Sequence, residues 1–330
     1  MQKRIFSRRN PTPAETSEVG LGTWQLGGTE WGDVDEDHAL KILQTATESG
    51  INFFDTADIY GTGRSEELIG RYLKQSGERP FIATKLGKYP DPGGDKNFSL
   101  DVFRKHTEAS LRRLGVDVID LTQLHSIPTR YYRSGEVFGW LDTLKQEGKI
   151  RQYGVSVESA EEAEICLGYE GVSSLQIIFN IFRRKPIRFF EQAKKQDVSL
   201  IVRLPLASGL LAGKYTKETT FPENDHRNFN RDGDYFNVGE TFAGLPFEKG
   251  VELADRIKEW LPEGMTLPQL ALRWALDFDA VSVVIPGASK PSQVHSNAAA
   301  SDLPPLGKEL HERLKTFYEN EVEEHIRGVY

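Results

Sequence analysis

Short apolar runs rich in β-branched and aromatic residues alternate along this chain with longer segments in which apolar positions recur every three or four residues. The short runs are VGLGTW (19–24), INFFDTA (51–57), PFIATKL (80–86), VIDLTQLH (118–125), YGVSV (153–157), SLQIIFN (174–180), SLIVRLPL (199–206) and AVSVVIPG (280–287), eight in all. Between them lie DEDHALKILQTATESG, SEELIGRYLKQSG, SLDVFRKHTEASLRRLG, GEVFGWLDTLKQEG, SAEEAEICLGYEG, RFFEQAKKQ and KGVELADRIKEW. In the first of these, Ala39, Ile42, Leu43 and Ala46 follow the i, i+3, i+4, i+7 spacing of an amphipathic helix, and Gly50 supplies a stop. Strand-then-helix units predict a parallel sheet, and strands apolar along their whole length need cover on both faces. A closed (β/α)8 TIM barrel accounts for all eight units at once; an open doubly wound sheet is the alternative.

Such a barrel needs roughly 250 residues, so part of a 330-residue chain is elaboration. Three places read as additions: an N-terminal extension over the first 18 residues, the long polar loop 217–246 after the seventh strand, and extra C-terminal helices in TLPQLALRWALDF and LGKELHERLKTFYENEVEEHI. A connection as long as 217–246 predicts a lid or binding loop over cofactor or substrate. The whole of 1–330 reads as a single barrel domain.

Composition removes several classes of function. With 27% charged and 38% hydrophobic residues the chain is an ordinary globular sequence, and its net charge of −8 argues against nucleic acid or an anionic membrane as the main partner. The basic N-terminus lacks an apolar signal core, and no run of about 18 apolar residues is present; a soluble, cytoplasmic protein is expected. The lone Cys166, in a helical run, permits no internal disulfide and reads as a small buried apolar residue.

In a parallel barrel the carboxyl ends of the strands share one rim. That rim would bring together Asp55 and Tyr60 after the second strand, Lys85 after the third and His125 after the fourth. A phenol of pKa about 10 becomes a usable proton donor near neutrality when a cation stabilises its phenolate. A desolvated Lys85 supplies the cation, and Asp55 holds and balances it. A neutral His125 hydrogen-bonds the oxygen on which charge develops. Together the four can protonate a carbonyl oxygen while something else attacks its carbon. Neither GxSxG nor HExxH occurs to supply that attacker, whereas a nicotinamide hydride would.

FFDTADIYG with GRSEELIG, then IATK and IDLTQLH, resemble the signature blocks of the aldo-keto reductases. GVS (154–156), LQIIFN (175–180), PLASGLLAGKY (205–215) and VIPGASKPSQVHSN (284–297) continue the pattern in order over nearly the whole chain. The resemblance implies an NADPH-dependent reductase of aldehydes, ketones or sugars on a (β/α)8 barrel. Tyr60 would be the general acid, Asp55 and Lys85 would modulate it, and His125 would orient the substrate carbonyl. Ser156 and Gln176 would bind the nicotinamide amide with Asn180 nearby, and backbone around Leu206, Ser208 and Leu211 would meet the pyrophosphate. Ser289, Lys290, Gln293 and Asn297 would take the adenosine end. Lys290 at a helix start suits a 2′-phosphate, so NADPH/NADP+ is expected over NAD. GLGTWQLGG (20–28) fails GxGxxG spacing, although the family pattern would put Gly22 and Trp24 on the cavity floor.

Three positions depart from the family: Val157 where many members carry Asn, Arg203 where an aromatic often stacks on the nicotinamide, and Ser296 where an acid commonly holds the adenine. A guanidinium at 203 is expected to disfavour the oxidised, cationic cofactor. Substrate contacts are expected among Trp31, Tyr89, Ile127, Tyr131, Tyr132 and the 217–246 segment. Two other functions stand against a reductase. One is a cofactor-occupied binding module, the role some family members play as channel subunits; the other is a metal-dependent barrel hydrolase, for which clustered ligands are lacking. The partner expected is a small-molecule carbonyl compound, and the sequence leaves the oligomeric state open.

Overall fold

The computed structural model describes residues 1–28, 31 and 34–330. The N-terminal extension forms an antiparallel hairpin of β1 (Lys3–Phe6) and β2 (Ala14–Ser17). Eight parallel strands follow: β3 (Leu21–Gly22), β4 (Phe53–Asp55), β5 (Phe81–Leu86), β6 (Leu121–His125), β7 (Tyr153–Ser156), β8 (Val172–Ile178), β9 (Ser199–Arg203) and β10 (Val281–Val284). Each pairs with its neighbour in sequence, and the bridges Val19–Val284 and Gly22–Gly287 join the last strand to the first. The sheet is a closed barrel, and the doubly wound alternative falls because its strand order would reverse. At the seam a Cβ on Gly22 would sit 2.8 Å from the Ile285 carbonyl oxygen, so this closure needs glycine.

Several strands are shorter than their apolar runs because the rim backbone turns away. After Arg203, for example, Leu204 takes φ +51° and ends β9. Inward positions alternate along each strand and change character with height. Phe53, Ala83, Leu121, Ile201, Val283 and Ile285 form an apolar floor. Phe6 of the hairpin plugs it from below, its ring 5.3 Å from that of Phe53 and 5.1 Å from that of Phe81. Burying such a ring stabilises by about 1.5–3 kcal/mol. Two residues further along the same strands, the inward side chains are Asp55, Lys85, Gln123 and Arg203, and the layer is polar.

Outside the sheet stand α1 (Glu36–Glu48), α2 (Arg64–Ser76), α3 (Leu100–Leu114), the short α4 (Thr129–Ser134), α5 (Glu136–Gln146), α6 (Ala160–Leu167) and α7 (Ile187–Lys195). The 217–246 segment holds only α8 (His226–Phe229) and two short 3-10 turns, and α9 (Phe247–Lys258), α10 (Leu267–Leu276), α11 (Pro291–Ala299) and α12 (Lys308–Phe317) complete the set. In α1 the positions Ala39, Ile42, Leu43 and Ala46 are buried as their spacing predicts, and Asp35 caps the start by accepting from the His38 amide at 2.9 Å. One assignment is corrected. TLPQLALRWALDF is no addition: α10 is the crossover helix before β10, buried from Leu270 to Leu276, and a helix apolar on every side belongs inside. The extra helix of this connection is α9, which packs on the 207–212 turn. No helix among the described residues is long and apolar enough to cross a membrane.

Candidate active site

The loop from β4 to α2 carries Tyr60. Its amide bonds to the Ala57 carbonyl at 3.2 Å and its carbonyl accepts from Ser65 at 3.3 Å. Gly61 takes φ +58°, and a Cβ there would lie 1.8 Å from the Gly27 carbonyl oxygen. The glycines of the opening strand's run, unfit for a dinucleotide loop, therefore serve a close backbone approach to the tyrosine loop. Ser65 ties the two together, donating to the Thr23 carbonyl at 3.0 Å. Trp24 stacks beside the phenol ring at 5.9 Å between centroids, and His125 stands edge-on to it at 5.8 Å.

Lys85 is buried under this ring. Its ammonium donates to Asp55 Oδ1 at 2.5 Å, to the Thr56 carbonyl at 2.9 Å and to the Tyr60 hydroxyl at 3.2 Å. The second carboxylate oxygen of Asp55 accepts from Gln176 at 2.7 Å and from Gln123 at 3.2 Å. Burial pulls the Lys85 ammonium below its ordinary value, and the Asp55 charge and hydrogen bond oppose this. Burial, reinforced by Lys88, Lys85 and Arg203, holds His125 well below its ordinary value, so the imidazole is neutral at neutral pH. The four rim residues expected from the sequence thus converge. A cation bonded to both a carboxylate and a phenol lowers the cost of moving the phenolic proton, and a neutral imidazole beside it can donate to an oxygen.

Asp55, Tyr60, His125 and Gln176 line the floor of a cavity of about 670 Å³, with Lys85 beneath them. Of the residues expected at a cofactor, Gly22, Trp24, Ser156, Gln176, Arg203, Leu206, Ser208, Ser289 and Gln293 line it, and Trp31 does so among the expected substrate contacts. Gln176 is already committed to Asp55. Leu211 is corrected: it is fully buried in the core, and its amide already bonds to the Leu206 carbonyl at 3.2 Å. Asn297 is likewise turned to the protein, donating to the Gly287 carbonyl at 3.3 Å, and Asn180 braces the rim through the Leu204 carbonyl at 2.9 Å. Lys290 is exposed at the start of α11, one residue beyond the lining Ser289. Tyr132 and Ile127 are core residues, linked at 3.2 Å through the Tyr132 hydroxyl. Tyr131 stacks on Phe98, and Tyr89 meets His106.

Arg203 needs a further correction. Its guanidinium forms an ion pair with Glu240 of the 217–246 segment and donates to the Val157 carbonyl at 3.1 Å. Burial would raise the Glu240 carboxyl, but Arg203, Lys88 and Arg183 outweigh it and hold the group low, so it stays charged. With the carboxylate beside it, Arg203 presents little net charge, and the expected discrimination against an oxidised cofactor loses its cause. The segment also supplies Arg227, Phe229, Tyr235 and Phe236 to the cavity wall.

Gln123, Lys88 and Glu240 were not singled out from the sequence. Gln123 was findable, since it sits two residues before His125 and a strand's period of two points both inward. Nothing local marks Glu240. Asp58, the second acid of the tyrosine loop, is buried outside the barrel, and among the described residues no side chain donates a hydrogen bond to its carboxylate. Its nearest basic group is His106 Nδ1 at 3.7 Å. Burial, with Glu66 adding to it, pushes the Asp58 carboxyl well up. Cys166 is buried, as expected.

A barrel whose floor joins a carboxylate, an ammonium, a phenol and an imidazole defines a class of carbonyl oxidoreductase. Residues 18–319 match the model of the Aldo/keto reductase family, and the chain belongs to that family. It is similar to the NADH-specific methylglyoxal reductase of Escherichia coli (strain K12), with 30% identity over 315 residues, 88% of this chain and 92% of that protein. It is also 30% identical over 297 residues to the aldo-keto reductase yakc [NADP(+)] of Schizosaccharomyces pombe, covering 86% of this chain and 83% of that protein. Among solved structures it resembles the glycerol dehydrogenase AKR11B4 from Gluconobacter oxydans, with 31% identity, a TM-score of 0.77 and coverage of 99% and 98% of the two chains.

Proposed function

We propose that this chain transfers a hydride between NADPH and the carbonyl of a small aldehyde, ketone or sugar, with Tyr60 as general acid. The observation that carries this reading is the Lys85 ammonium bonded at once to Asp55 and to the Tyr60 hydroxyl on the cavity floor. Bound NADPH supplies the hydride; the chain manages the proton. His125, kept neutral, donates to the carbonyl oxygen and fixes its position. Tyr60 delivers the proton to that oxygen, and Lys85 stabilises the phenolate left behind. Asp55 balances Lys85 while Gln123 and Gln176 hold its other oxygen, so the ammonium does not swing away. In the reverse direction the same phenolate takes the alcohol proton.

The residues present suit a nicotinamide dinucleotide. Leu204, Ala207 and Ser208 all take positive φ, at 51°, 48° and 54°, and strain clustered at a cavity rim is characteristic of a ligand-binding turn. Among the described residues, buried Arg203 Nε lacks a hydrogen-bond partner. Relatives of equal identity are split between NADH and NADP(+), so the preference rests on this chain's own residues: exposed Lys290 opens α11 beside Ser289 and favours a 2′-phosphate. The 217–246 segment, whose Glu240 meets Arg203, serves as a cover over cofactor or substrate. The chain is read as one domain over 1–330, acting on a small-molecule carbonyl compound in the cytoplasm.

The test is NADPH oxidation across small aldehydes, ketones, sugars and quinones. Tyr60→Phe should lower kcat by about 100-fold or more while NADPH affinity stays unchanged. A wild type and Tyr60→Phe equally inert on every compound, with NADPH still tightly bound, would overturn the enzymatic reading.

A further inference from the structure

Four lysines and arginines line the cavity, and among the described residues two of them have a carboxylate partner: Arg203 is held by Glu240 and Arg227 by Asp225. Lys85, beneath the lining, is held by Asp55. Lys214 is exposed to water on the turn that follows Ser208. Lys88 is different: it lines the cavity half-buried, close enough to His125 to act on its charge, and among the described residues it makes no hydrogen bond or ion pair. Its backbone is fixed, because Asn97 donates to the preceding Gly87 carbonyl at 3.1 Å and to the Asp91 carbonyl at 2.6 Å. Burial pulls its ammonium below the ordinary value, opposed by the more distant Glu240 and Glu158 charges.

A lysine on a flexible stem normally carries its charge out to water, and withdrawing it without a partner is unfavourable. Around His125 stand three cations, Lys85, Lys88 and Arg203; Lys85 is paired with Asp55 and Arg203 with Glu240, whereas the carboxylates that act on Lys88, Glu240 and Glu158, lie beyond ion-pair distance of it. That unpaired charge lies beside the imidazole that would hold the substrate oxygen. We propose that Lys88 is a specificity-determining residue that binds an anionic group, carboxylate or phosphate, on the carbonyl substrate. This rests on the hydride-transfer reading above and narrows its substrate class from carbonyl compounds at large to small anionic ones.

Two matched pairs of substrates test it: 4-oxobutanoate against butanal for the carboxylate, and glyceraldehyde 3-phosphate against glyceraldehyde for the phosphate. Wild type should favour the anion of at least one pair by about tenfold or more in kcat/KM, the worth of one charge-assisted contact; whichever pair shows it names the group. Lys88→Met should erase that preference through KM, leaving the neutral member's kcat and the NADPH affinity within about twofold. Lys88→Arg should retain most of it. If wild type shows no preference in either pair, or Lys88→Met weakens neutral and anionic members equally, the proposal fails. A fall in NADPH affinity for Lys88→Met would assign the lysine to the cofactor and also overturn it. Should no compound be turned over, the hydride reading fails separately. Calorimetric binding of 4-oxobutanoate and glyceraldehyde 3-phosphate then decides for Lys88: affinity for one of them lost about tenfold in Lys88→Met supports the proposal, and no such loss for either refutes it.

Discussion

Replacing Glu240 with glutamine tests whether the long segment after β9 is a gate. The Arg203–Glu240 ion pair links the barrel to this segment, with side-chain exposures of 10% and 13%. Two unit charges about 4 Å apart attract by roughly 4 kcal/mol at an effective dielectric constant of 20. Desolvation of both groups and water in the cavity reduce the loss on substitution to about 1.5–3 kcal/mol. Tethers that do not need the carboxylate remain, since Ser208 still donates to the Glu240 carbonyl at 3.0 Å and Asn237 to Glu158 at 2.9 Å. If the pair holds the segment closed, Glu240→Gln should raise the opening equilibrium by about 10- to 150-fold and speed NADPH release in proportion. Stopped-flow fluorescence reads this directly, because Trp24 and Trp31 line the cavity. In a double-mutant cycle with Arg203→Met, the release rates should show a coupling of at least about 1.5 kcal/mol. A release rate within twofold of wild type, alongside a lower melting temperature, would refute the gate and leave the pair as a purely structural contact.

Two further outcomes are expected beside those of Tyr60→Phe and Lys88→Met. Asp58 keeps its proton in the folded protein at pH values where the unfolded chain has lost it, because burial and Glu66 raise its carboxyl above the ordinary range. Stability should therefore fall as pH rises above about 4, the unfolded value, until the native group ionises. Asp58→Asn should flatten that fall and stabilise the protein by about 1–3 kcal/mol at pH 8, measured by urea denaturation at pH 4.5 and 8; equal pH slopes for the two proteins would remove the assignment. Lys290→Ala should weaken NADPH by about tenfold or more while changing NADH by less than about threefold. Equal losses for the two cofactors would show that Lys290 meets no 2′-phosphate.

The order of the eight strands, the barrel, and the meeting of Asp55, Tyr60, Lys85 and His125 were legible in the primary structure. Apolar runs with helical segments between them specify a parallel sheet, and a residue at a strand's carboxyl end lies on the common rim whatever its number. The same period of two points Gln123 inward with His125, although only the barrel brings Gln176 to the Asp55 oxygen from 121 positions away. What local pattern could not decide is which buried charge finds which partner. Asp55 and Asp58 are three residues apart in the same acidic, turn-forming stretch. One enters the barrel and gains an ammonium and two carboxamide donors, whereas the other faces the helices and gains none. Arg203 was read as a charged platform for the cofactor until closure of the long segment set Glu240 against it. Periodicity fixes the face on which a side chain emerges, because that is set by the backbone a few residues either side. Charge pairing is set by what the rest of the chain brings to that face, and it exists only once the barrel has closed.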